Sequence, residues 1–187
     1  MVTVRAETRR GFLAATAALA TGCLGGGTDE LPQPISLDTG RSCDECGMVI
    51  RDHPGPVGQT YYSDNTPEGR DDGEPACFCS TVCLFDFYYE RDEQGWEPLV
   101  HYVTDYSSVD YEVRREGSSD YISAHLNAEE FAEANRTTLV VDSDVLGAMG
   151  PSLIPFTDSE DATGFREEYG GDTVGFGDVT ERIVDSL

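Results

Sequence analysis

Cys43-Asp44-Glu45-Cys46-Gly47-Met48 and Cys77-Phe78-Cys79-Ser80-Thr81-Val82-Cys83 hold five of the six cysteines of this 187-residue chain. In the first group, a C-x-x-C turn lets two thiolates converge on one ion. Gly47 relieves the crowding that follows, because glycine alone visits positive φ cheaply. In the second group, Cys79 and Cys83 are four apart, so a helix beginning at Ser80 places them on one side across a turn. Met48 adds a thioether beside the first pair. Thiolates with thioethers are the soft donor set that selects Cu(I), and thiolates alone also suit zinc. The spacing therefore points to a bound metal and leaves copper or zinc open.

Outward from these groups, the elements alternate in a way that implies an α+β fold. Strands are predicted over Val57–Tyr62 and Ala76–Cys79, with a helix capped by Ser80, burying Val82, Phe85 and Tyr89 and ending before Gly95. Further strands are predicted over 99–105, 109–115 and 121–126, and a helix capped by Asn127 over 128–135. Thr138-Leu139-Val140-Val141 is the most strand-like stretch. A turn at Gly147-Ala148-Met149-Gly150-Pro151 leads to a strand at Leu153–Phe156. Thr157-x-x-Glu160 has the form of a capping box, for a helix with Ala162, Phe165 and Tyr169 on one face and Gly170-Gly171 at its end. A last strand at Val174–Phe176 precedes a short helix from Thr180. A methionine-bearing turn, a strand and a helix thus follow Cys46 and recur after Ala148. The echo predicts two small halves of related strand-strand-helix-strand architecture, about 42–105 and 106–187, the first with a long loop at Asn65–Pro75.

The opening residues read as an address. Thr8-Arg9-Arg10-Gly11-Phe12-Leu13 has the form of a twin-arginine signal, and Ala20-Thr21-Gly22-Cys23 that of a lipobox, giving a signal over residues 1–22. The apolar run from Leu13 to Leu19 is far shorter than the roughly 20 residues of a membrane span. Cys23 is the expected lipid carrier, and residues 23–41, with Gly25 to Gly27, read as a flexible tether. The protein is expected outside the cell, anchored to the outer face of its membrane.

Net charge is −24, from 36 acidic residues against twelve arginines and no lysine. The acid is spread along the chain, as in proteins of salt-loving organisms. No basic stripe exists, which argues against nucleic acid as a partner. Five clustered cysteines in an exported protein also admit disulfides. Cys77 is the odd member, a core thiol or a spare ligand. Each histidine stands alone in sequence, and only His53, close to the first knuckle, is a weak ligand candidate. No nucleophile elbow, phosphate loop or paired histidines appear. A thiol–disulfide oxidoreductase would need C-x-x-C in a βαβ setting, which Cys43–Cys46 lacks.

Taken together, these residues resemble the NosL family of copper-binding lipoproteins that serve nitrous oxide reductase assembly in denitrification. The likeness rests on the lipobox, Cys43-x-x-Cys46-Gly-Met48-x-Ile50, Pro54-Gly-Pro56, the Cys83-Leu-Phe helix, Val103-Thr-Asp105-Tyr106, Met149-Gly150 with Pro155-Phe156, and Gly170-Gly171. It implies a Cu(I) metallochaperone, not an enzyme, with Cys46, Met48 and Met149 at ligand positions. It also implies as partners the reductase and its membrane ABC-type maturation complex. Two departures stand out. Ala148 replaces a proline usual before Met149-Gly150, and Cys43, Cys46, Cys79 and Cys83 together resemble a TRASH-type heavy-metal finger. The alternative reading is therefore a structural four-cysteine zinc site in an interaction module.

Overall fold

Two antiparallel sheets of matching connectivity form the frame, in a computed structural model that describes residues 31–187. The signal, Cys23 and the first part of the tether lie outside the described residues. The strands are β1 (Gly58–Tyr62), β2 (Ala76–Phe78), β3 (Pro98–Thr104), β4 (Val113–Glu116), β5 (Ser119–Ile122), β6 (Phe131–Glu133), β7 (Thr138–Val141), β8 (Val145–Leu146), β9 (Ile154–Phe156) and β10 (Asp172–Gly175). The helices are α1 (Thr81–Glu93), α2 (Ser159–Tyr169) and α3 (Glu181–Val184). Among the described residues, no helix is long and apolar enough to cross a membrane.

The first sheet runs β2-β1-β3-β6, the second β10-β7-β9, and a third, β4-β5-β8, joins a hairpin to a short parallel strand. In each of the first two, the earliest strand is central and its neighbours pair with it antiparallel. In each, a helix links the second strand to the third: α1 between β2 and β3, α2 between β9 and β10. The expected strand-strand-helix-strand echo is thus present in the sheet topology. Its second copy starts at β7, ahead of Met149, rather than after Ala148.

β1 is buried along its whole length because both faces are covered. On one face α1 packs so closely that a Cβ at Gly58 would lie 2.7 Å from Leu84 Cδ1, which explains a glycine in a central strand. On the other, Gln59 exchanges hydrogen bonds with the backbone of Ile35, to its N–H and its C=O, each at 2.9 Å. Tyr61 and Tyr102 donate to the carbonyls of Gln33 (2.7 Å) and Pro32 (2.8 Å). Residues 32–41 carry no helix or strand, as their composition predicts, yet they are strapped across the sheet and Leu37 is fully buried. The part of the expected tether over residues 32–41 is therefore fixed to the sheet and not flexible.

Ser80 caps α1 as expected, its hydroxyl accepting Cys83 N–H at 3.0 Å. The buried face is broader than 3–4 spacing implies. Cys83, Leu84, Phe85 and Phe87 are all buried, whereas Val82 and Tyr89 are half-covered, because α3 and the sheet enclose the helix from two directions. Several expectations fail, and the strands expected over 109–115 and 121–126 form instead as a tighter hairpin at 113–116 and 119–122. The predicted helix over 128–135 is two short 3-10 turns around β6: Asn127 and Glu130 do form a capping box, but Phe131–Glu133 pairs with the edge of β3 instead of winding on. Asp158 caps α2, accepting Glu160 N–H at 2.8 Å, while the Thr157 hydroxyl is drawn away to Asp105 at 2.8 Å.

That diversion serves the seam between the repeats. The buried Asp105 carboxylate also accepts the N–H groups of Ser107 (3.1 Å) and Thr157 (3.0 Å). Elsewhere along the seam, Thr81 Oγ1 donates to Leu153 O at 2.8 Å and accepts Leu153 N–H at 3.1 Å, with Ser152 Oγ 3.1 Å away. Residues 31–187 form one compact unit.

Candidate metal centre

The C-x-x-C turn folds as a knuckle. Gly47 N–H donates to Cys43 O (2.9 Å) and Cys43 N–H to Met48 O (2.8 Å), while Ser42 and Val49 bridge its base. Gly47 has φ +78°, which a side chain would resist. The knuckle is then fastened to β2. Asp44 N–H donates to Cys77 O (2.9 Å), and the Asp44 carboxylate accepts Cys77 N–H (2.6 Å). From the long loop, Arg70 grips the same carboxylate and also donates to Ser42 O at 2.7 Å. Arg41 and Glu74 form a second ion pair between the same two segments, at 2.6 Å.

β2 leads straight into the cap of α1, so Cys79 stands just before the cap and Cys83 one turn inside. The knuckle delivers Cys43 and Cys46 to them. All four sulfurs lie within 4.8 Å of one another, with Cys46–Cys79 at 3.5 Å and Cys79–Cys83 at 3.8 Å. Four sulfurs arranged around one ion at about 2.3 Å would stand about 3.8 Å apart, so these two separations already match a metal site and the others, within 4.8 Å, lie close to it. Cys43, Cys79 and Cys83 are buried, and Cys46 is exposed.

The described cysteines are free thiols. Without a cation, so tight a cluster concentrates its charge on one sulfur. Cys43 is held far below the ordinary thiol range by S–H groups donated from Cys79 and Cys83. Cys79 and Cys83 are correspondingly pushed up, first by their hydrogen bonds to Cys43. A soft cation would replace those shared protons with metal–sulfur bonds. Cys77 takes no part in the cage. Its thiol is buried, faces Pro75 O at 3.5 Å and is pushed up to about 12 by burial, as for an inert core thiol.

The methionines occupy different settings. Met48 is half-buried against the core that contains Cys43, Cys79 and Cys83. Met149 is 47 % exposed on a turn closed by Gly147 N–H to Gly150 O at 2.7 Å. Gly147 is required there, since a Cβ would come within 2.6 Å of Gly55 O. The Thr81–Leu153 hydrogen bonds tie the loop bearing Met149 to the first turn of α1, between Cys79 and Cys83.

No histidine joins the cage among the described residues. His53 lines a separate cleft of about 550 Å³ with Arg51 and Arg114. His101 bonds Thr60 Oγ1 through Nδ1 at 2.8 Å, and burial lowers it to about 4. His125 lies between Ser123 and Glu130. Reading the sequence did not single out Asp44 or Arg70. Asp44 looks like ordinary turn chemistry, and Arg70 sits in a loop without periodicity.

A four-thiol cage built from a knuckle and a helix N-terminus, in a small α+β frame, defines a thiolate-rich protein suited to soft metals. The NosL family model matches residues 34–184, and the chain belongs to that family. It is 26 % identical over 167 residues to the copper-binding lipoprotein NosL of Stutzerimonas stutzeri, covering 88 % of this chain and 75 % of the relative. It is 28 % identical over 141 residues to the copper-binding lipoprotein NosL of Achromobacter cycloclastes, covering 74 % and 63 %. The fold is similar to the crystal structure of the copper chaperone NosL from Shewanella denitrificans, with TM-score 0.65 and 29 % identity over 80 % of this chain and 97 % of that one.

Proposed function

We propose that this protein is an exported, lipid-anchored carrier of Cu(I) that supplies copper for the maturation of nitrous oxide reductase. The observation that carries the reading is the preformed cage of Cys43, Cys46, Cys79 and Cys83, within 4.8 Å of one another in a chain of the NosL family. Copper is the cargo. The thiolates hold it by soft-donor bonding, and release proceeds by ligand exchange with an acceptor rather than by any catalysed reaction. The relatives' names as copper-binding lipoproteins and a copper chaperone support both the cargo and the anchor. Met48 and Met149 are the thioethers offered to copper as it enters or leaves. Cys23 carries the lipid, placing the domain on the outer face of the membrane, where the reductase and its ABC-type maturation complex are the partners.

Zinc is the second reading, favoured by sulfur separations close to the edge of a tetrahedral zinc site. One experiment separates the two. Protein reconstituted anaerobically under reducing conditions is challenged with a Cu(I) chelator, then offered to metal-free nitrous oxide reductase. Stoichiometric Cu(I) that moves to the reductase supports the carrier. Tightly held zinc that Cu(I) does not displace, and that leaves only on unfolding, overturns it. Loss of membrane attachment in Cys23→Ser tests the anchor.

A further inference from the structure

We infer that Cys46 is the hand-over ligand of the cage, the last thiolate bound to copper as an acceptor takes it. This rests on the copper reading of the same site and adds a direction to it. Three of the four sulfurs are built into the fold. Cys43 is pinned at the base of the knuckle by Met48 O, Cys79 follows β2 directly, and Cys83 lies in the first turn of α1. All three are buried.

Cys46 is different in kind. It stands at the tip of the knuckle between two exposed residues, Glu45 and Gly47, and nothing lies within 4 Å of where a Gly47 Cβ would be. The tip is thus unpacked while its base is held by the Ser42–Val49 bridge and the Asp44 contacts. Of the four cage sulfurs, an acceptor too large to enter the core meets this one alone. Structural zinc uses four protein ligands, whereas Cu(I) is satisfied by fewer soft donors, so copper leaves one thiol of the cage to spare. The spare thiol that a partner can reach is Cys46, 3.5 Å from the buried Cys79 sulfur.

The transfer balances without redox chemistry. Cu(I) takes Cys46 as a ligand in exchange for one of the buried thiolates, a thiolate or thioether of the acceptor adds, and the remaining bonds to the buried thiolates break. The bond to Cys46 breaks last, copper stays Cu(I), and the freed thiolates draw protons from water.

The test uses the full chain carrying Cys23→Ser, with Cys46→Ser and Cys83→Ser compared against it. Cu(I) affinity is measured by competition with bathocuproine disulfonate. Extraction rates are measured with that bulky chelator and with cyanide, which is small enough to enter the cage. We expect Cys46→Ser to keep its affinity within about tenfold, while Cys83→Ser loses more than about a hundredfold. Extraction by the bulky chelator should slow at least about tenfold in Cys46→Ser, and extraction by cyanide should change less than about threefold. Equal affinity losses in the two variants, or undiminished extraction by the bulky chelator, overturn the inference. If Cys46→Ser fails to fold, limited alkylation of folded metal-free protein supplies the same block, mapped to Cys46 by peptide mass, with the same expected slowing. A parent protein that binds no Cu(I) overturns the copper reading itself, and this inference with it.

Discussion

Arg70 closes on Asp44 through two nitrogens, Nε at 3.1 and 3.2 Å from the carboxylate oxygens and Nη2 at 2.9 Å from one of them. The pair is largely shielded, and the same carboxylate holds Cys77 N–H. Removing one partner of such a pair strands the other charge, which costs more than the pair's net worth. Asp44→Ala should therefore lower folding stability by about 3 kcal/mol and weaken metal binding, because the knuckle loses its fastening to β2. Chemical denaturation and metal competition on the same samples check both effects.

The contact between Thr81 and Leu153 makes a second prediction. Thr81→Val keeps the shape but leaves the buried N–H and C=O of Leu153 without their partner. A loss of about 2 kcal/mol is expected, together with faster amide exchange at residues 147–153. Unchanged exchange there would show that the loop is held by other contacts.

Met149→Leu should leave the melting temperature unaltered, since the side chain is 47 % exposed and contributes little to the core. If its thioether receives copper, Cu(I) affinity or uptake rate falls by roughly tenfold. Identical copper titrations in the two proteins would remove Met149 from the pathway.

His101 predicts a specific acid response. Burial holds its folded value near 4, below the ordinary 6.5, so the folded state favours the neutral ring. Its stabilisation is complete above pH 6.5 and is lost as pH falls toward 4, by up to about 2–3 kcal/mol. His101→Gln should flatten that part of the stability profile relative to the parent chain. Comparing the two cancels the titration of the many carboxylates.

A net charge of −24 predicts that salt stabilises the fold. Self-repulsion should depress the melting temperature in dilute buffer and screening should restore it toward molar salt. A flat profile would separate the acidic composition from any role in salt adaptation.

Much of this architecture was readable locally. Ser80 ahead of an apolar run marked α1, and the glycine after C-x-x-C marked the knuckle. The repeat was visible because a methionine-bearing turn, a strand and a helix follow Cys46 and recur after Ala148. What was not readable was decided at a distance. Phe131–Glu133 joined a sheet because the edge of β3 was open beside it, against the local capping box. Thr157 lost its capping role to Asp105, fifty-two residues earlier. The strap over residues 32–41 depends on Gln59, Tyr61 and Tyr102, which read as ordinary strand residues. The four cage cysteines could be grouped from their spacing, but the division into three buried thiols and one exposed required the packing of α1 and β2.

β2 is three residues long and lies at the margin of its sheet, and the whole cage hangs from it. The strands that carry the most pairing, β1 and β3, are interior and are sealed by α1 and the N-terminal strap. Emptying the cage therefore breaks none of the pairing between β1 and β3. For the carrier proposed above, each delivery can then end without the vessel coming apart.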